Sequence, residues 1–546
     1  MTDATAADDR RCRALVAGLL SPAAYPHPVS AVRLVETHIS WVFLTGPFAS
    51  KVKKPVRLEF LDFSSLERRR HFCTEEVRLN RRFAPDLYLG VVPIGGTAAR
   101  PRVDDPSGEA QEWAVRLVQF DEADRLDTRF EAGRLSAADC LLLGAEIARV
   151  EATLAVADPA GGHGTPERLR AVFAMNLGEI ARLRPDLAER TRALGAWFDG
   201  ALCRGRAAFL SRIAAGRIRE CHGDLHLANL VLINGRPVAF DAIEFNPDLR
   251  WIDVASDLAF LAMDLESRSR ADLAAHVTSA WMEESGDHAA AAVLPAYRVA
   301  RAVVRAAVAT IRGAQAGVGP RSAAVAAADA ERYLALAERI TVPPAPVMLV
   351  ATGVAGSGKS SLARVAVGVA GAVRLSSDVE RKRLAAMRPT DRPADAAATR
   401  ALYGEPMTRR VYARLAGLAG DLLAAGTSVV VDATATFRWQ RDLLAAAAAR
   451  AGAPLAWLDI DLPEATLRER VERRASQGGD PSDATVEILR AQLAAREPLG
   501  ASEVSPGGPR PVLIARLGAT ELAEPERTLG GVVARLRAAN RVEGEP

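Results

Sequence analysis

The sequence predicts a two-part chain, an α+β part with two lobes followed by an α/β part built on a parallel sheet. Three observations lead to this prediction. Predicted strands are grouped before about residue 120 and helices follow them, a Pro-rich break occupies residues 341–346, and strands alternate with helices beyond that break. Such alternation is typical of a parallel sheet with helices on both faces. At 546 residues the chain is too long for one hydrophobic core.

The composition is ordinary for a globular protein, with 49% hydrophobic and 25% charged residues. Its 70 basic and 67 acidic residues nearly balance, so the total charge points neither towards nucleic acid nor away from it. The five cysteines form no CxxC pair, which predicts free thiols in a reducing compartment. An acidic N-terminus, and no apolar run of about 20 residues, predict a cytoplasmic protein with no membrane partner.

The first predicted strands are residues 38–46 and 50–56, and the second of them carries three lysines, Lys51, Lys53 and Lys54. Lys51 and Lys53 lie on the same face of a strand because side chains alternate with a period of two. One of these lysines would reach the phosphates of ATP. The alternative is a solvated edge strand, where lysines are common.

A helical pattern follows over residues 64–83, and either Glu75 or Glu76 would pair with the strand lysine. Glu76 is favoured because its spacing to later apolar positions places it beside the buried stripe. Two further strands are predicted at residues 89–94 and 113–120, which complete a small mixed lobe.

The stretch CHGDLHLANLVLINGRPVAFDAIEF, residues 221–245, carries the chemistry of the first part. Asp224 precedes Asn229 by five residues, and Asp241 follows an apolar strand. Phosphoryl transfer from ATP requires a group that orients a hydroxyl and two ligands for Mg²⁺. The alternative is a polar loop between two strands.

From residue 136 to about 330 the pattern is otherwise helical. Asp257 lies at the head of an apolar helix, where a carboxylate can bind backbone N–H groups. A structural role in bracing the 221–245 stretch is expected of it rather than a chemical one. The arginines within residues 297–312 are expected to form a solvated or salt-bridged face, and the alternative is that they face an anionic substrate.

Residues 25–335 resemble the aminoglycoside phosphotransferase and choline kinase branch of the protein-kinase-like fold. HGDLHLAN matches that family's catalytic loop, HGD(L/F)xxxN, and FDAIEF stands where the family has its magnesium-binding acid. The resemblance implies that Asp224 is the catalytic base for a substrate hydroxyl. It also implies that Asn229 and Asp241 hold Mg²⁺. One departure is that Ala-Ile-Glu follows Asp241, where protein kinases have Phe-Gly.

The same resemblance implies that Lys51 or Lys53 holds the ATP phosphates, braced by Glu75 or Glu76. A second departure from the family concerns the Gly-rich loop, because only Gly46 lies between the first two strands.

Directly after the Pro-rich break, the apolar strand 347–351 leads into the motif G-x-x-x-x-G-K-S. Its glycines let backbone N–H groups turn inward around phosphates, and the following helix N-terminus adds its dipole. Lys359 would reach the β- and γ-phosphates and Ser360 would ligate Mg²⁺. A chance match in a Gly- and Ala-rich chain is the alternative. The candidate nucleotide-binding residues here are Gly353, Gly356, Ser357, Gly358, Lys359, Ser360 and Ser361.

The remaining strands of this part are predicted at residues 373–376, 428–431, 455–462 and 511–516. Asp432 directly follows one of them, as a Walker B type acid near the magnesium would. Asp378 follows another in the pattern S-D-x-x-R, which ends at Arg381.

Residues 345–520 resemble the small P-loop kinases of the AAA-33 and zeta-toxin-like group. The resemblance implies that Asp378 activates the acceptor hydroxyl and that Arg381 positions the substrate. The segment 467–492 looks like the family's lid, from which an arginine would neutralise charge on the transferring phosphoryl group. The candidates are Arg470, Arg473 and Arg474, with Arg474 assigned to the nucleotide site; a basic surface helix is the alternative.

Together the two resemblances look like the bacterial bifunctional proteins in which an aminoglycoside phosphotransferase-like part is fused to a P-loop kinase-like domain. The expected function is an ATP-dependent phosphotransferase with two Mg²⁺–ATP sites acting on a small-molecule hydroxyl, such as a sugar, an aminoglycoside-like or a nucleoside-like metabolite. One alternative is that one domain is a nucleotide-binding sensor. The other is a polynucleotide-end kinase, disfavoured because basic and aromatic residues are not interleaved.

The predicted domain limits follow from these patterns. They are an N-terminal extension (1–24), a kinase-like N-lobe (25–120), a helical C-lobe (121–340), a Pro-rich linker (341–346), a P-loop kinase-like domain (347–520) and a C-terminal helix or tail (521–546).

Overall fold

The structure is a computed structural model that describes residues 3–58, 61–315, 318–477, 485–500, 503 and 512–541. It contains two compact units. The first unit comprises Met1–Leu135, Val150–Arg168 and Ser211–Leu261, and the second comprises Ser136–Arg149, Leu169–Leu210 and Ala262–Pro546. The domain limits inferred from the sequence remain a prediction. Among the described residues, no helix combines the length and apolar character needed to cross a membrane.

The first unit begins with an antiparallel sheet and one helix packed on it. The elements are α1 (Asp3–Leu19), β1 (Arg33–Glu36), β2 (Ser40–Leu44), β3 (Phe48–Lys53), β4 (Arg57–Leu58), β5 (Leu61–Asp62), α2 (Leu66–Asn80), β6 (Tyr88–Thr97), β7 (Arg100–Val103), β8 (Glu112–Val118) and α3 (Leu126–Glu131). Six strands form the sheet in the order β1-β2-β3-β8-β6-β7. Ser65 caps α2 by accepting the Arg68 N–H. A core that includes Cys73, Val77 and Val115 joins α2 to the sheet.

The middle of the chain is helical around two short antiparallel strand pairs. Its elements are α4 (Ala137–Thr153), α5 (Pro166–Leu183), α6 (Ala188–Arg204), α7 (Arg206–Ala214), β9 (Ile218–Glu220), β10 (Leu230–Ile233), β11 (Arg236–Ala239), β12 (Trp251–Asp253) and α8 (Val254–Ser267). Strand β9 pairs with β12, and β10 pairs with β11. The hairpin turn is Asn234-Gly235, where both residues have positive φ, as a type I′ turn requires. The stretch HGDLHLAN therefore connects β9 to this hairpin.

The second unit contains a five-stranded parallel sheet in the order β14-β15-β13-β16-β17. Strands β13 to β16 are buried along their length, as expected of a sheet covered on both faces. The elements are α9 (Ala271–Ser285), α10 (Leu294–Ala314), α11 (Pro320–Thr341), β13 (Met348–Thr352), α12 (Lys359–Ala370), β14 (Ala372–Ser376), α13 (Ser377–Leu384), α14 (Ala396–Tyr403), α15 (Glu405–Ala424), β15 (Ser428–Asp432), α16 (Arg438–Arg450), β16 (Leu455–Ile460), α17 (Glu464–Gln477), α18 (Val486–Ala495), β17 (Val512–Leu517), α19 (Ala519–Ala523) and α20 (Pro525–Arg541).

The predicted fold class is present in both parts, as an α+β part with an antiparallel sheet and an α/β part with a parallel sheet. The ends of individual helices and strands differ by a few residues from those predicted from the sequence. The predicted strand 38–46 is shorter, Ser40–Leu44, because tight turns flank it, with the Thr37 N–H bonded to the Ser40 oxygen (2.9 Å) and the Thr45 N–H bonded to the Phe48 oxygen (2.9 Å). The predicted lid, residues 467–492, contains parts of two helices, α17 and α18, and residues 478–484 lie outside the described residues.

Candidate active sites

Two strand lysines meet one helix glutamate in the first unit. Glu76 is buried on α2 and accepts hydrogen bonds from both, with Lys51 Nζ 2.8 Å from Oε1 and Lys53 Nζ 2.7 Å from Oε2. Both lysines lie on one face of β3, as their spacing predicts. Glu75 pairs instead with Arg78, one helical turn away. The carboxylate that braces the lysines is therefore that of Glu76.

The second partner of each lysine distinguishes their roles. Lys51 also pairs with Asp241, the predicted metal ligand, and its side chain is 12% exposed. Lys53 also pairs with Glu244, is fully buried and lies 4.9 Å from the centre of the Phe63 ring. Lys51 is consequently the lysine that faces the candidate metal ligand, and Lys53 braces Glu76 from within the core.

For Lys51 and Glu76, charge pairing outweighs desolvation. Burial disfavours the charged forms of Lys51 and Glu76. Nevertheless Asp241 and Glu76 hold the pKa of Lys51 well above its usual range. The two lysines in turn hold the pKa of Glu76 below its usual range. Both groups are therefore charged near neutral pH, as a phosphate-binding lysine must be.

The carboxylate of Asp224, in the stretch HGDLHLAN, is partly exposed and held by its neighbours. Asn229 Nδ2 donates to the side chain of Asp224, 3.0 Å from Oδ2, and to its backbone oxygen at the same distance. His226 Nε2 lies 3.3 Å from Asp224 Oδ2. Sequence reasoning missed His226, although its position two residues after Asp224 was a usable signal. The loop thus presents an oriented carboxylate with a histidine beside it.

Asp257 on α8 holds the start of the HGDLHLAN loop in place. Its carboxylate accepts the backbone N–H groups of His222 (2.7 Å) and Gly223 (2.9 Å), which is the bracing expected from the sequence. Gly223 has φ +87°, and a Cβ there would lie 2.7 Å from the backbone oxygen of Leu249. Only glycine fits this turn.

Asp241 adopts a left-handed backbone conformation, with φ +65°, that is uncommon for a residue with a side chain. Hydrogen bonds hold it there, since its N–H donates to the Tyr88 hydroxyl (3.0 Å) and the next N–H, of Ala242, donates to Asn80 Oδ1 (2.8 Å). Such strain is commonly retained at functional sites. Asp241 and Asn229 offer the oxygen donors that Mg²⁺ takes in proteins. The residues present therefore fit a magnesium ion, which would neutralise phosphate charge.

A cavity of about 860 Å³ occupies the carboxyl end of the parallel sheet in the second unit. Its lining includes most of the G-x-x-x-x-G-K-S loop, from Gly356 to Ser361. Helix α12 begins at Lys359, so its N-terminus faces the cavity, as phosphate binding requires. Lys359 Nζ donates to the backbone oxygen of Val354 (2.9 Å). The buried Ser357 hydroxyl has no hydrogen-bond partner among the described residues.

Three glycines of the loop have positive φ, namely Gly353, Gly356 and Gly358. The most constrained is Gly356, where a Cβ would lie 2.5 Å from the backbone oxygen of Leu467 on α17. The loop therefore packs against the first lid helix at a distance that only glycine allows.

We expect Gly356→Ala to weaken ATP binding that depends on Lys359 by more than about tenfold, because the clash with α17 moves the loop. Gly371→Ala is the matched control, since Gly371 also has positive φ (+63°) but nothing lies within 4 Å of its Cβ position. It should lower the free energy of unfolding by about 1–2 kcal/mol and leave ATP affinity unchanged. Calorimetric titration with ATP and thermal unfolding measure both quantities. Equal ATP affinities for the two variants would contradict the prediction.

Two acids line the cavity at the ends of neighbouring strands. Asp432 ends β15, and Asp378 lies in the first turn of α13, two residues after β14. Burial raises the pKa of Asp378, although the nearby Arg381 opposes the shift. Ser360 and Asp432 supply a hydroxyl and a carboxylate to the same space. No group of three or more His, Cys, Asp or Glu side chains among the described residues forms a metal cage. This set fits Mg²⁺, which is usually held by few protein ligands together with substrate phosphates.

Arg381 also lines the cavity and is anchored to the helices that follow it. Its Nη1 donates to the backbone oxygen of Leu402 (3.0 Å) and to Thr408 Oγ1 (3.2 Å). Its guanidinium lies 5.2 Å from the centre of the Tyr403 ring. The arginine therefore presents a fixed positive charge on the α13 side of the cavity, next to Asp378.

The two helices of the predicted lid, α17 and α18, contribute further polar groups. Arg470 and Arg473 line the cavity, and Arg470 Nη1 donates to the backbone oxygen of Ser357 (3.4 Å). Arg474, the arginine assigned from the sequence, belongs to α17, but its side chain lies outside the described part of the structure. Gln492 on α18 accepts the backbone N–H of Ala355 (2.7 Å) and was not anticipated, because no motif marks it.

Comparison with known proteins finds one matching domain family and several proteins that are similar over most of their length. The AAA domain family matches residues 348–499. Uncharacterized proteins of Mycobacterium tuberculosis and Mycobacterium bovis are each 32% identical over 490 residues, covering 86% of this chain and 92% of the mycobacterial protein. The match to the AAA domain confirms the P-loop kinase-like domain predicted for the C-terminal part.

Solved structures of kinases are similar to each part. A gluconokinase from Sinorhizobium meliloti shares 24% identity and covers 37% of this chain and 99% of its own, with a TM-score of 0.24. A choline/ethanolamine kinase family protein from Mesorhizobium loti shares 15% identity and covers 61% of this chain and 98% of its own, with a TM-score of 0.37.

Proposed function

The chain belongs to the same family as these mycobacterial proteins, and from this premise and the geometry of its two sites we propose that it is an ATP-dependent phosphotransferase acting on a small-molecule hydroxyl. The observation that carries the proposal is the cavity of the second unit. It brings a phosphate-binding Lys359, a candidate base, Asp378, and a candidate magnesium ligand, Asp432, to one space. Those three groups are what phosphoryl transfer requires.

In the proposed reaction, Asp378 accepts the proton of the acceptor hydroxyl as its oxygen attacks the γ-phosphorus of ATP. The bond between that phosphorus and the β,γ-bridging oxygen breaks, and ADP leaves. Lys359 and the loop N–H groups hold the phosphates, while Arg381 orients the acceptor beside the base. Magnesium held by Ser360 and Asp432 would neutralise phosphate charge.

The first unit supplies a second site of the same chemical type. Asp224 is the proposed base, and Asn229 and Asp241 are the proposed magnesium ligands. Lys51, braced by Glu76, is the proposed phosphate-binding lysine. We propose that this site also turns over ATP on a hydroxyl acceptor.

A nucleotide-sensing role for the first unit is the second candidate function. It is favoured by the direct pairing of Lys51 with Asp241, which engages both a phosphate-binding and a metal-binding group. A sensor would bind ATP in a Lys359→Ala protein without Mg²⁺-dependent release of ADP, whereas a kinase would release it.

The proposal is tested by measuring ADP formation by the full chain against a panel of sugars, aminoglycosides, nucleosides and oligonucleotides. Wild type is compared with Asp224→Ala, Lys359→Ala and the double variant. We expect acceptor-dependent turnover that each single variant reduces and that the double variant abolishes. Turnover by the double variant equal to that of wild type would exclude both sites. Phosphorylation confined to oligonucleotide 5′ ends would favour the end-kinase alternative.

A further inference from the structure

Helix α9, which precedes the Pro-rich segment by more than 50 residues, packs on the P-loop part of the second unit. His276 on α9 has its Nδ1 2.7 Å from the backbone oxygen of Asp272 and its Nε2 3.1 Å from the backbone oxygen of Arg364 on α12. A Cβ at Gly368 of α12 would lie 2.7 Å from the His276 ring. The two helices are therefore in close contact along α12, the helix that follows the phosphate-binding loop.

The same helix completes the hydrogen bonding of an edge strand. Strand β14 lies at the edge of the parallel sheet, where backbone groups lack a strand neighbour on one side. Ser279 Oγ on α9 accepts the N–H of Arg374 in the middle of β14 (3.0 Å). Helix α9 thus covers this edge and fixes the position of Arg374.

The side chain of Arg374 lies between two carboxylates that come from different elements. Its Nε is 3.3 Å from Asp432 Oδ2 and 3.7 Å from Glu283 Oε2 at the end of α9. The residue is 9% exposed, and it lines the cavity together with Asp432 and Asp378. Nε makes no hydrogen bond of good geometry, so these contacts are electrostatic ion pairs. The buried guanidinium of Arg374 is therefore attracted both to Asp432, a candidate magnesium ligand, and to Glu283, which does not line the cavity.

We propose that Glu283, acting through Arg374, sets the affinity of Asp432 for Mg²⁺, so that α9 supplies a positioning residue to the P-loop site. The inference rests on the proposed function of that site. A positive charge beside Asp432 competes with Mg²⁺ for its carboxylate, because both are attracted to the same oxygens. Glu283 offsets that competition by pairing with the same guanidinium of Arg374. Neither residue belongs to the G-x-x-x-x-G-K-S or S-D-x-x-R motifs.

The test measures the Mg²⁺ concentration that half-saturates binding of a non-hydrolysable ATP analogue to the full chain. The P-loop component is the part of the binding that Lys359→Ala removes. Glu283→Gln should raise the half-saturating concentration by about tenfold, since Arg374 then pairs with Asp432 alone. Arg374→Gln should lower it. In the Arg374→Gln background, Glu283→Gln should cause no further change, because the route through Arg374 is gone.

Glu284→Gln is the matched control, because the neighbouring Glu284 pairs with Arg149 instead (3.1 Å). It removes the same charge from the same helix and should leave the half-saturating concentration unchanged. Thermal unfolding of each variant separates loss of folding from altered metal affinity, since misfolding would weaken binding in both single variants. The inference would be overturned if Glu283→Gln and Arg374→Gln changed the half-saturating Mg²⁺ concentration in the same direction. It would also be overturned if the two changes were additive in the double variant.

The result also separates the two proposals. If wild type shows no Mg²⁺-dependent binding that Lys359→Ala removes, the proposed function of the P-loop site is wrong and the role of Glu283 with it. If that binding is present and Glu283→Gln leaves it unchanged, only the role of Glu283 is wrong.

Discussion

Replacing Asp378 by Asn is expected to lower kcat for the Lys359-dependent phosphoryl transfer by about 10²- to 10⁴-fold, the usual contribution of a general base. The amide keeps the size of the side chain but cannot accept the hydroxyl proton. Binding of the ATP analogue should change little, because the loop and Lys359, which are proposed to hold the phosphates, are unchanged. Initial rates of ADP formation with a turned-over acceptor measure the effect.

Asp391→Asn is the control for this substitution. Asp391 follows the same helix, and its carboxylate accepts the backbone N–H of Arg388 in an exposed turn (2.8 Å). Its loss should leave kcat within about twofold, as is usual for surface changes. A kcat for Asp378→Asn within this range would show that another group takes the proton.

The pH dependence of the same reaction has a defined sign. Burial raises the pKa of Asp378, and a base must be deprotonated to act. The rate constant kcat/KM should therefore be fully developed above the raised pKa and decline as the pH falls through it. This acid limb should lie above the value of about 3.9 for an ordinary aspartate. In Asp378→Asn the acid limb should disappear from the residual rate.

The parts of the molecule that the sequence predicted are those governed by local rules. The phosphate loop could be placed because its glycines, lysine and serine are adjacent in the chain and follow a buried strand. The shared face of Lys51 and Lys53 follows from the period of a strand. The choice of Glu76 over Glu75 was favoured by helical periodicity, and Glu76 is the residue that bonds both lysines.

The remaining features depend on contacts between distant segments, which local patterns do not encode. Glu244 differs from other glutamates only because folding buries it against Lys53, 191 residues away. The positive φ of Asp241 is held by Tyr88 and Asn80 from elsewhere in the first unit. Gln492 reaches the phosphate loop across 137 residues. No periodicity or motif marks these residues, so their roles emerge only from the packed structure.

The ion pair between Glu283 and Arg374 is another contact that local sequence patterns do not predict, and it bears on where the domains divide. A Pro-rich segment is a reasonable place to divide a chain. Yet α9, from before that segment, covers β14 and contacts α12 within the second unit. The edge strand leaves backbone groups that some element must satisfy, and sequence alone does not say which. We therefore expect the P-loop site to depend on residues on both sides of the Pro-rich segment.

Asp224→Asn is expected to remove the turnover that remains in Lys359→Ala, with a fall in kcat of about 10²- to 10⁴-fold. The physical reason is that Asn229 and His226 orient the Asp224 carboxylate, and the amide that replaces it accepts no proton. ATP should still bind, because Lys51 and Glu76 are untouched. Rates of ADP formation in the Lys359→Ala background isolate the first site.

Asp248→Asn provides the matched control in the same background. Asp248 lies in an exposed turn between Asp241 and α8 and pairs with Arg168 on the surface. Its loss removes an equal charge from the same segment and should leave the rate within about twofold. Equal rates for Asp224→Asn and Asp248→Asn, with ATP still bound, would mean that the first unit binds nucleotide without transferring phosphate. In that case the phosphotransferase activity would belong to the P-loop site alone, and the charged cluster around Lys51 would serve as a sensor of ATP.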